Sequence, residues 1–356
     1  MPGDVAFRTV VIGGSAGSLE PLTTIVGLLP PSLNACVLIV IHTGSESVGV
    51  LPRVLARRSA LPVTFAGDLD PITPRRIYVA RPDCHLIVTA DGLRVVHGPR
   101  EHGFRPAVDP LFRTAGREMG PRAIGVILSG ALGDGAYGLS VIKRHGGRAI
   151  VQDPAEATVD RMPNSAIATV DVDYVLPSAE IAPTIARLAG EPVQQGDTTM
   201  ARANDLEPQL PSAETSVSEM ERRYGAPSAL TCPDCGGALW EIEEGRVVRY
   251  QCHVGHQYAP DALDSGQRDT VDGALWSAVR VLEEHASLRR KMAKRAAGRG
   301  LKGVADVFEE RARDAHDQAR QIRAVLFAAS DMTAPAPAVP AARRREIRHP
   351  KRKRGR

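Results

Sequence analysis

A serine and a histidine that each follow an apolar run could together perform nucleophilic catalysis. Ser15 lies in the pentad GGSAG (13–17), directly after the run TVVI. This pentad matches G-x-S-x-G, in which small neighbours let a serine stand on a sharp turn between a strand and a helix. Because a phosphate-binding loop or a plain strand-to-helix turn could use the same glycines, the pentad alone does not decide between these roles.

His42 closes the run ACVLIVIH, which places it at the carboxyl end of the next predicted strand. This is the edge where α/β sheets collect their ligands. A serine hydroxyl becomes a good nucleophile when a base takes its proton, and a histidine within hydrogen-bond reach would serve. We therefore expect Ser15 and His42 to meet at one edge of the sheet.

A carboxylate is needed to orient such a histidine and to stabilise its charged form. Asp134 lies in ALGDG, just beyond the predicted strand AIGVILSG, where glycines would leave backbone N–H groups open to an oxyanion. Asp153, which closes RAIVQD, is the alternative, and Asp83 and Asp109 are less well placed. The chain order Ser, His, Asp differs from that of the α/β-hydrolases, so the sequence indicates either another fold with this chemistry or a chance grouping.

A second group of residues has the spacing of a zinc site. The segment TCPDCGGALWEIEEGRVVRYQCHVGH contains C-x2-C, a gap of 16 residues, and C-x3-H. A CPxCGG knuckle turns tightly enough to bring two thiolates to one Zn²⁺. We expect the ligands to be Cys232, Cys235, Cys252 and His256, with His253 as the alternative fourth ligand. Four protein ligands predict a structural site, and the module would either bind a partner or position the helices after it.

The elements that would position the serine, histidine and aspartate alternate along the chain from residue 8 to about 190. Continuous Val/Ile runs are typical of parallel strands that are buried on both faces. We therefore predict an α/β fold with a doubly wound, mostly parallel sheet flanked by helices. The runs between 62 and 98 follow one another with turn-sized gaps, which indicates an inserted antiparallel hairpin or a sheet edge.

Composition divides the remainder of the chain. After a catalytic domain at 1–190, we predict a polar linker at 191–226, a zinc-ribbon-like module at 227–262, a helical hairpin at 265–330 and a disordered basic tail at 331–356. The hairpin has apolar residues at helical spacing on both helices: Leu275, Val279, Leu282 and Ala286, then Val304, Phe308, Ala315, Ile322 and Leu326. We expect these two stripes to pack on each other.

The charge distribution argues against a specific nucleic-acid partner. The net charge is +4, but the last fourteen residues hold nine cations and one acidic residue, so the rest of the chain is mildly acidic. The tail lacks interleaved aromatic residues, and we expect it to be solvated. No apolar run is long enough for membrane insertion, and the start lacks a signal-peptide pattern, so we expect a cytoplasmic protein.

Several segments together resemble the catalytic domain of the chemotaxis protein-glutamate methylesterases, the CheB family. They are VVIGGSAGSLEPL, VLIVIHTG, AGDLDPITPRRIYVARPDCHLIV, FRPAVDPLFRTAG, GVILSGALGDGAYGL and IVQDPAEATVDRMPNSAI, between about 7 and 190. The resemblance implies a doubly wound domain that hydrolyses glutamyl methyl esters on chemoreceptors, releases methanol and in many members also deamidates receptor glutamines. It implies no catalytic cofactor, with Ser15 as the nucleophile, His42 as the base and Asp134 as its orienting carboxylate.

The sequence departs from this family pattern in three respects. The resemblance begins near residue 8, so we expect no N-terminal receiver domain and no phosphorylation control in cis. Ala16 and Gly17-Ser18 replace the threonine and paired glycines that usually follow the nucleophile, and Ala131 replaces a methionine whose backbone is linked to the oxyanion site. These changes favour the alternative hypothesis of a non-enzymatic adaptor that uses its esterase-like domain and zinc module to bind signalling proteins.

The remaining charged residues of this domain have plain interpretations. Arg105, in FRPAVD, could contact an acidic substrate or form an ion pair with Asp109. Four further histidines are interpreted as ordinary surface or core residues: His85, His97, His102 and His145.

Overall fold

The structure is a computed structural model, and it describes residues 7–42, 49–193 and 216–330. The chain divides into two compact units, the first ending at Arg268 and the second beginning at Asp269. The predicted tail at 331–356 and residues 194–215 of the predicted linker lie outside the described residues.

The first unit contains the predicted doubly wound sheet. Its strands and helices are β1 (Arg8–Gly14), α1 (Leu19–Leu28), β2 (Ala35–Ile41), α2 (Leu51–Ala56), β3 (Val63–Phe65), β4 (Arg76–Val79), β5 (His85–Thr89), β6 (Gly92–Val96), α3 (Val108–Met119), a 3₁₀ turn (Gly120–Arg122), β7 (Ala123–Ile127), α4 (Ala136–Arg144), β8 (Arg148–Gln152), α5 (Arg161–Thr169), β9 (Tyr174–Leu176) and α6 (Ser178–Gly190). Seven strands form a sheet in the order β3-β4-β2-β1-β7-β8-β9, and every neighbouring pair is parallel.

Helices cover both faces of this sheet, which explains the continuous apolar runs. Along β1, Val10 and Ile12 belong to a core cluster with α1, α2 and α6. Val11 points to the opposite face and joins a cluster with α3, α4 and α5. All seven residues of β1 are buried, as expected of a central parallel strand that is covered on both faces.

The prediction for the runs between 62 and 98 holds in part. Strands β5 and β6 form a separate antiparallel hairpin, with His85 opposite Val96. Strands β3 and β4 instead extend the parallel sheet at its edge, because β4 pairs with β2 in the register Cys36 to Arg76. Turn-sized gaps between apolar runs do not by themselves distinguish the parallel edge of a sheet from a hairpin.

The cysteine module is a three-stranded antiparallel sheet with a short helix. Its elements are α7 (Val217–Tyr224), β10 (Leu239–Glu244), β11 (Val247–Cys252) and β12 (Gln257–Tyr258). Helix α7 lies within the segment predicted as linker at 191–226. It forms because Ser216 caps its first turn and Met220 packs in a cluster with Trp240, so this part of the segment belongs to the module.

Two long helices follow, α8 (Pro260–Gly298) and α9 (Lys302–Ser330). Helix α8 begins in the first unit, so the predicted boundary between 262 and 265 falls inside a continuous helix. In the second unit the predicted stripes pack around Val279 and Ala319, although Val304 is exposed and Ala305 is buried in its place. None of the described helices is both long and apolar enough to cross a membrane.

Candidate active site

Ser15, His42 and Asp134 lie at the ends of three neighbouring strands. Ser15 and His42 directly follow β1 and β2, and Asp134 lies in the loop after β7. Since β1 is paired with both β2 and β7 and all three are parallel, their carboxyl ends share one edge. The strand order reverses between β1 and β7, and such a reversal creates the crevice in which open α/β sheets bind ligands.

The three side chains form one continuous chain of contacts. His42 Nδ1 lies 3.1 Å from Ser15 Oγ, and His42 Nε2 lies 2.6 Å from Asp134 Oδ2. A carboxylate can only accept, so the proton of the neutral imidazole is on Nε2 and the Nδ1 lone pair faces the serine hydroxyl. The His42 and Asp134 side chains are 2% and 0% exposed, which shields their contact from water.

Asp134 remains negatively charged although it is buried. Burial acts to raise the pKa of its carboxyl, but the His102 and His42 imidazoles and the Val108 N–H outweigh burial, so this pKa lies below its ordinary value. The Val108 and Asp109 N–H groups, at the start of α3, donate to its two oxygens at 2.7 and 2.9 Å. A helix N-terminus favours such a negative charge. The carboxylate is thus fixed before any substrate binds.

The turn that carries Ser15 is anchored by its backbone. The Ser15 N–H donates to the Ser129 carbonyl at 2.9 Å, and the Ser18 hydroxyl donates to the Ser15 carbonyl at 2.5 Å. The left-handed conformation falls on Gly17, with φ 75°, where a Cβ would lie 2.6 Å from Thr158 Cβ. The last glycine of the pentad therefore takes the positive φ that other residues rarely adopt.

Backbone donors for an oxyanion are available on two sides of Ser15. A Cβ on Gly130 would lie 2.9 Å from Ser15 Cβ, so the loop after β7 runs directly beside the nucleophile. The Gly130 N–H already donates to the Val159 carbonyl. The Ala16 and Ala131 N–H groups have no hydrogen-bond acceptor in the described part of the chain, and these are the donors that an oxyanion could use.

Two further residues at the site were not predicted as site residues. The Phe104 ring stacks on the His42 imidazole, with centroids 3.9 Å apart and an interplanar angle of 11°. His102 is buried, and its Nε2 lies 2.9 Å from Asp109 Oδ2 and 3.5 Å from Asp134 Oδ1. The interpretation of His102 as an ordinary histidine therefore overlooked its position. Phe104 is the first residue of FRPAVD and His102 lies two residues before it, and this was the available signal.

The other charged candidates lie away from the proton relay. Arg105 pairs with Asp83, at 2.8 and 3.0 Å, so the predicted ion pair with Asp109 is wrong. Asp153 uses Oδ1 to accept the Ala155 N–H, two residues along its own loop. The remaining histidines have ordinary partners: His85 with the Pro99 carbonyl, His97 with Asp83, and His145 with the Val141 carbonyl.

The cysteine module brings its predicted ligands together. The ligand atoms of Cys232, Cys235, Cys252 and His256 all lie within 4.8 Å of one another. The Cys235 and Cys252 sulfurs are 3.8 Å apart, and His256 Nδ1 lies 3.7 Å from Cys232 Sγ and 3.5 Å from Cys252 Sγ. A tetrahedral zinc site with Zn–S of about 2.3 Å and Zn–N of about 2.0 to 2.1 Å has edges of about 3.5 to 3.8 Å. The spacing therefore fits one zinc ion with His256 as the fourth ligand.

In a second group of possible metal ligands, an arginine side chain already pairs with the glutamate. Glu101, His102 and Asp109 lie close enough to share an ion. The Arg113 guanidinium, however, donates to both Glu101 oxygens at 2.7 and 2.9 Å. The charge of this carboxylate is therefore balanced by the protein itself.

Comparisons with known proteins cover the first half of the chain. Residues 10–185 match the family described as CheB methylesterase. A relative from Leptospira interrogans, named protein-glutamate methylesterase/protein-glutamine glutaminase, is 38% identical over 190 residues, which are 53% of this chain and 98% of that protein. Relatives with the same name from Moorella thermoacetica and Pyrococcus abyssi are 39% and 36% identical, and the matches cover 51% and 52% of this chain and 44% and 52% of theirs.

A solved structure shares the fold. The crystal structure of the CheB methylesterase catalytic domain from Thermotoga maritima is 31% identical, with a TM-score of 0.50, and the match covers 52% of this chain and 100% of that one. The cysteine module and the two long helices lie beyond the residues that match the family, 10–185.

Proposed function

Because this chain belongs to the CheB methylesterase family, we propose that Ser15, His42 and Asp134 hydrolyse the methyl esters of glutamyl side chains on chemoreceptors. The observation that carries this proposal is the unbroken relay from Ser15 Oγ through His42 to Asp134, with contacts of 3.1 and 2.6 Å. Nucleophile, base and orienting carboxylate are the complete set that acyl transfer requires.

In the first half of the reaction, the Ser15 hydroxyl attacks the ester carbonyl and its proton moves to His42 Nδ1. Asp134 accepts the Nε2–H throughout and stabilises the imidazolium that forms. The oxyanion would be held by the Ala16 and Ala131 N–H groups. The C–O bond to the methoxy group then breaks, His42 returns the proton to that oxygen, and methanol leaves.

In the second half, water replaces methanol. His42 takes a proton from the water as its oxygen attacks the glutamyl-serine ester, and the bond to Ser15 Oγ breaks as the serine recovers a proton from His42. The product is a glutamate side chain. A glutamine amide would follow the same path with ammonia as the leaving group, so the site also suits deamidation.

The surroundings of Ser15 suit a side chain presented by a folded partner. Ser15 is half-buried, its neighbours Ala16 and Gly17 are exposed, and Leu19 is 50% exposed on the adjoining helix α1. Small-molecule sites usually enclose their ligand in a cleft. An open turn with an apolar neighbour instead favours a receptor helix as the substrate. The protein would then act in the cytoplasm, where such a helix would be modified.

The test is methanol release from a methylated chemoreceptor. Ser15→Ala should lower the rate by at least about 1000-fold, because the hydroxyl forms the covalent intermediate. Ser140→Ala is the matched control, since the Ser140 hydroxyl donates to the Tyr137 carbonyl on α4. Equal release by wild type and Ser15→Ala would contradict the proposal and favour the non-enzymatic adaptor.

A further inference from the structure

The cysteine module is joined to the catalytic domain at the turn formed by residues 101–104. Gln257, in β12, forms a parallel bridge with Glu101. The His102 N–H donates to the Gln257 carbonyl at 2.6 Å, and the Ala259 N–H donates to His102 Nδ1 at 3.0 Å. Two backbone hydrogen bonds therefore fix both the main chain and the ring of His102 to the module.

The bond from Ala259 determines which nitrogen of His102 carries a proton. Because Nδ1 accepts this bond, the proton of the ring is on Nε2. That Nε2–H points to Asp109 Oδ2 at 2.9 Å, and Asp134 Oδ1 lies 3.5 Å away. Asp109 in turn donates its backbone N–H to Asp134. His102 thus supports the carboxylate that orients His42.

The module also contacts the loop that carries Asp134. Leu132 packs against the apolar core of the module, which includes Tyr258 and Leu263. A Cβ on Gly133 would lie 3.3 Å from Ala259 Cβ and 3.1 Å from Asp261 Oδ1. The module therefore contacts two segments next to Asp134, the turn at 101–104 and the loop before α4.

The link depends on a very short strand. β12 has only two residues, Gln257 and Tyr258, and it directly follows His256. Tyr258 is buried, and its hydroxyl lies 3.4 Å from Cys232 Sγ. So small a sheet buries little apolar area of its own, and a metal ion is the usual means by which such modules hold their fold.

We propose that one zinc ion bound by Cys232, Cys235, Cys252 and His256 is a structural part of this esterase site. The ion keeps β12 against the turn at 101–104, and His102 is thereby a positioning residue for Asp134. The zinc ion takes no part in the reaction, whose nucleophile, base and orienting carboxylate remain Ser15, His42 and Asp134. The activity measurement rests on the function proposed above, but zinc content and Ser15 reactivity do not.

The first test compares the purified full chain with two cysteine variants. Cys235→Ser removes an exposed ligand, so it costs little packing, and Cys84→Ser is the thiol control outside the module. Bound zinc is measured by elemental analysis. Ser15 reactivity is measured with a fluorophosphonate, from which the activated hydroxyl displaces fluoride.

Wild type and Cys84→Ser should each hold one zinc per chain and react at the same rate. Cys235→Ser should lose most of its zinc, and its Ser15 should react roughly tenfold more slowly, the size expected when a supporting shell is lost. Full zinc content in Cys235→Ser overturns the metal site. An unchanged Ser15 rate in zinc-depleted Cys235→Ser overturns the link to catalysis.

The second test separates positioning from packing at His102. Glutamine can extend an N–H donor towards Asp109, as Nε2 does, whereas asparagine is too short to reach it. We expect His102→Asn to slow Ser15 labelling roughly tenfold and His102→Gln to restore most of the rate, with zinc content unchanged in both. Equal rates for the two variants, whether normal or reduced, contradict the positioning role.

The two proposals fail in different ways. Normal Ser15 labelling without methanol release from a receptor would contradict the substrate proposal alone. Normal labelling in both Cys235→Ser and His102→Asn would contradict this inference alone. On methylated receptor, His102→Asn should lower kcat and leave KM unchanged, since His102 does not touch the substrate.

Discussion

Asp134 receives hydrogen bonds from both the base and the backbone. His42 approaches one oxygen at 2.6 Å, and the Val108 and Asp109 N–H groups approach at 2.7 and 2.9 Å. The carboxylate cannot turn without breaking several of these bonds, so the orientation of His42 is set by groups that do not react. Such preorganisation is a large part of what an active site contributes to a rate.

Replacing Asp134 by asparagine should lower kcat by about 10,000-fold, because the amide N–H₂ would favour the wrong tautomer of His42. Asp153→Asn is the control, since Asp153 hydrogen-bonds within its own loop. Methanol release under saturating receptor measures both. A loss of less than tenfold in Asp134→Asn would show that another group orients the base.

Asp134 should also contribute to acid stability. Its folded pKa lies below the unfolded value, so its contribution is fully present above the unfolded pKa of about 3.9 and declines as the pH falls towards the folded pKa. Urea unfolding of wild type and Asp134→Asn at about pH 7 and at about pH 3 measures this, because the two pH values lie on either side of the ordinary aspartate pKa. The wild-type advantage should shrink below about pH 4. A constant difference would contradict this assignment.

Phe104 should hold the plane of His42 through its stacked ring. Phe104→Ala should slow Ser15 labelling roughly tenfold, because the imidazole can then tilt away from the hydroxyl. Phe104→Tyr keeps the ring and is the matched control. If Phe104→Ala and Phe104→Tyr react equally fast, the stacking has no role in positioning.

At the scale of elements, helix α3 connects the turn at 101–104 to the edge of the sheet where Ser15, His42 and Asp134 lie. Its first residues donate to Asp134, and Arg113, one helical turn further on, holds both Glu101 oxygens. The Arg113 and Glu101 side chains are 6% and 3% exposed. Breaking such a buried pair leaves a charge without its counterpart, which is costly.

Glu101→Gln should therefore lower the free energy of unfolding by about 3 kcal/mol. Asp68→Asn is the contrasting control, since Asp68 and Arg94 form an ion pair with about half of each side chain exposed. Urea unfolding measures both. Similar small losses in the two variants would indicate that Glu101 is not needed to compensate the Arg113 charge.

The catalytic edge could be predicted because its residues follow local rules. Ser15, His42 and Asp134 each follow an apolar run, and parallel strands collect such residues at one edge. His102 could not be predicted in this way, because its role comes from Ala259, which is distant in sequence and touches it only after folding. Helix α7 was not predicted because it has one buried residue, Met220, and one residue does not produce a helical pattern of apolar positions.

At the scale of the whole chain, the two units carry different kinds of core. The first unit is built on a parallel sheet with helices on both faces. The core of the second includes Val279, Ala319 and Leu326, packed with Leu275 and Ile322. A narrow core with small residues is sensitive to a single charged substitution.

Ala319→Glu should lower the midpoint of thermal helix loss in the second unit while leaving Ser15 labelling at room temperature unchanged. Ala319 is 1% exposed, so the new carboxylate would be buried between helices. Ala324→Glu, at an exposed position of the same helix, is the matched control. Equal midpoints for Ala319→Glu and Ala324→Glu would contradict the burial of Ala319 in this core.

The triad follows β1, β2 and β7, and the central position of these strands has a consequence for thermal inactivation. The amides of a central strand exchange with deuterium only when the domain opens globally, since smaller fluctuations do not reach them. The N–H groups of Ile12, Ile39 and Val126, all in fully buried residues, should thus be among the slowest to exchange. If the three strands unfold only with the whole domain, thermal loss of hydrolytic activity and exchange of these amides should begin at the same temperature.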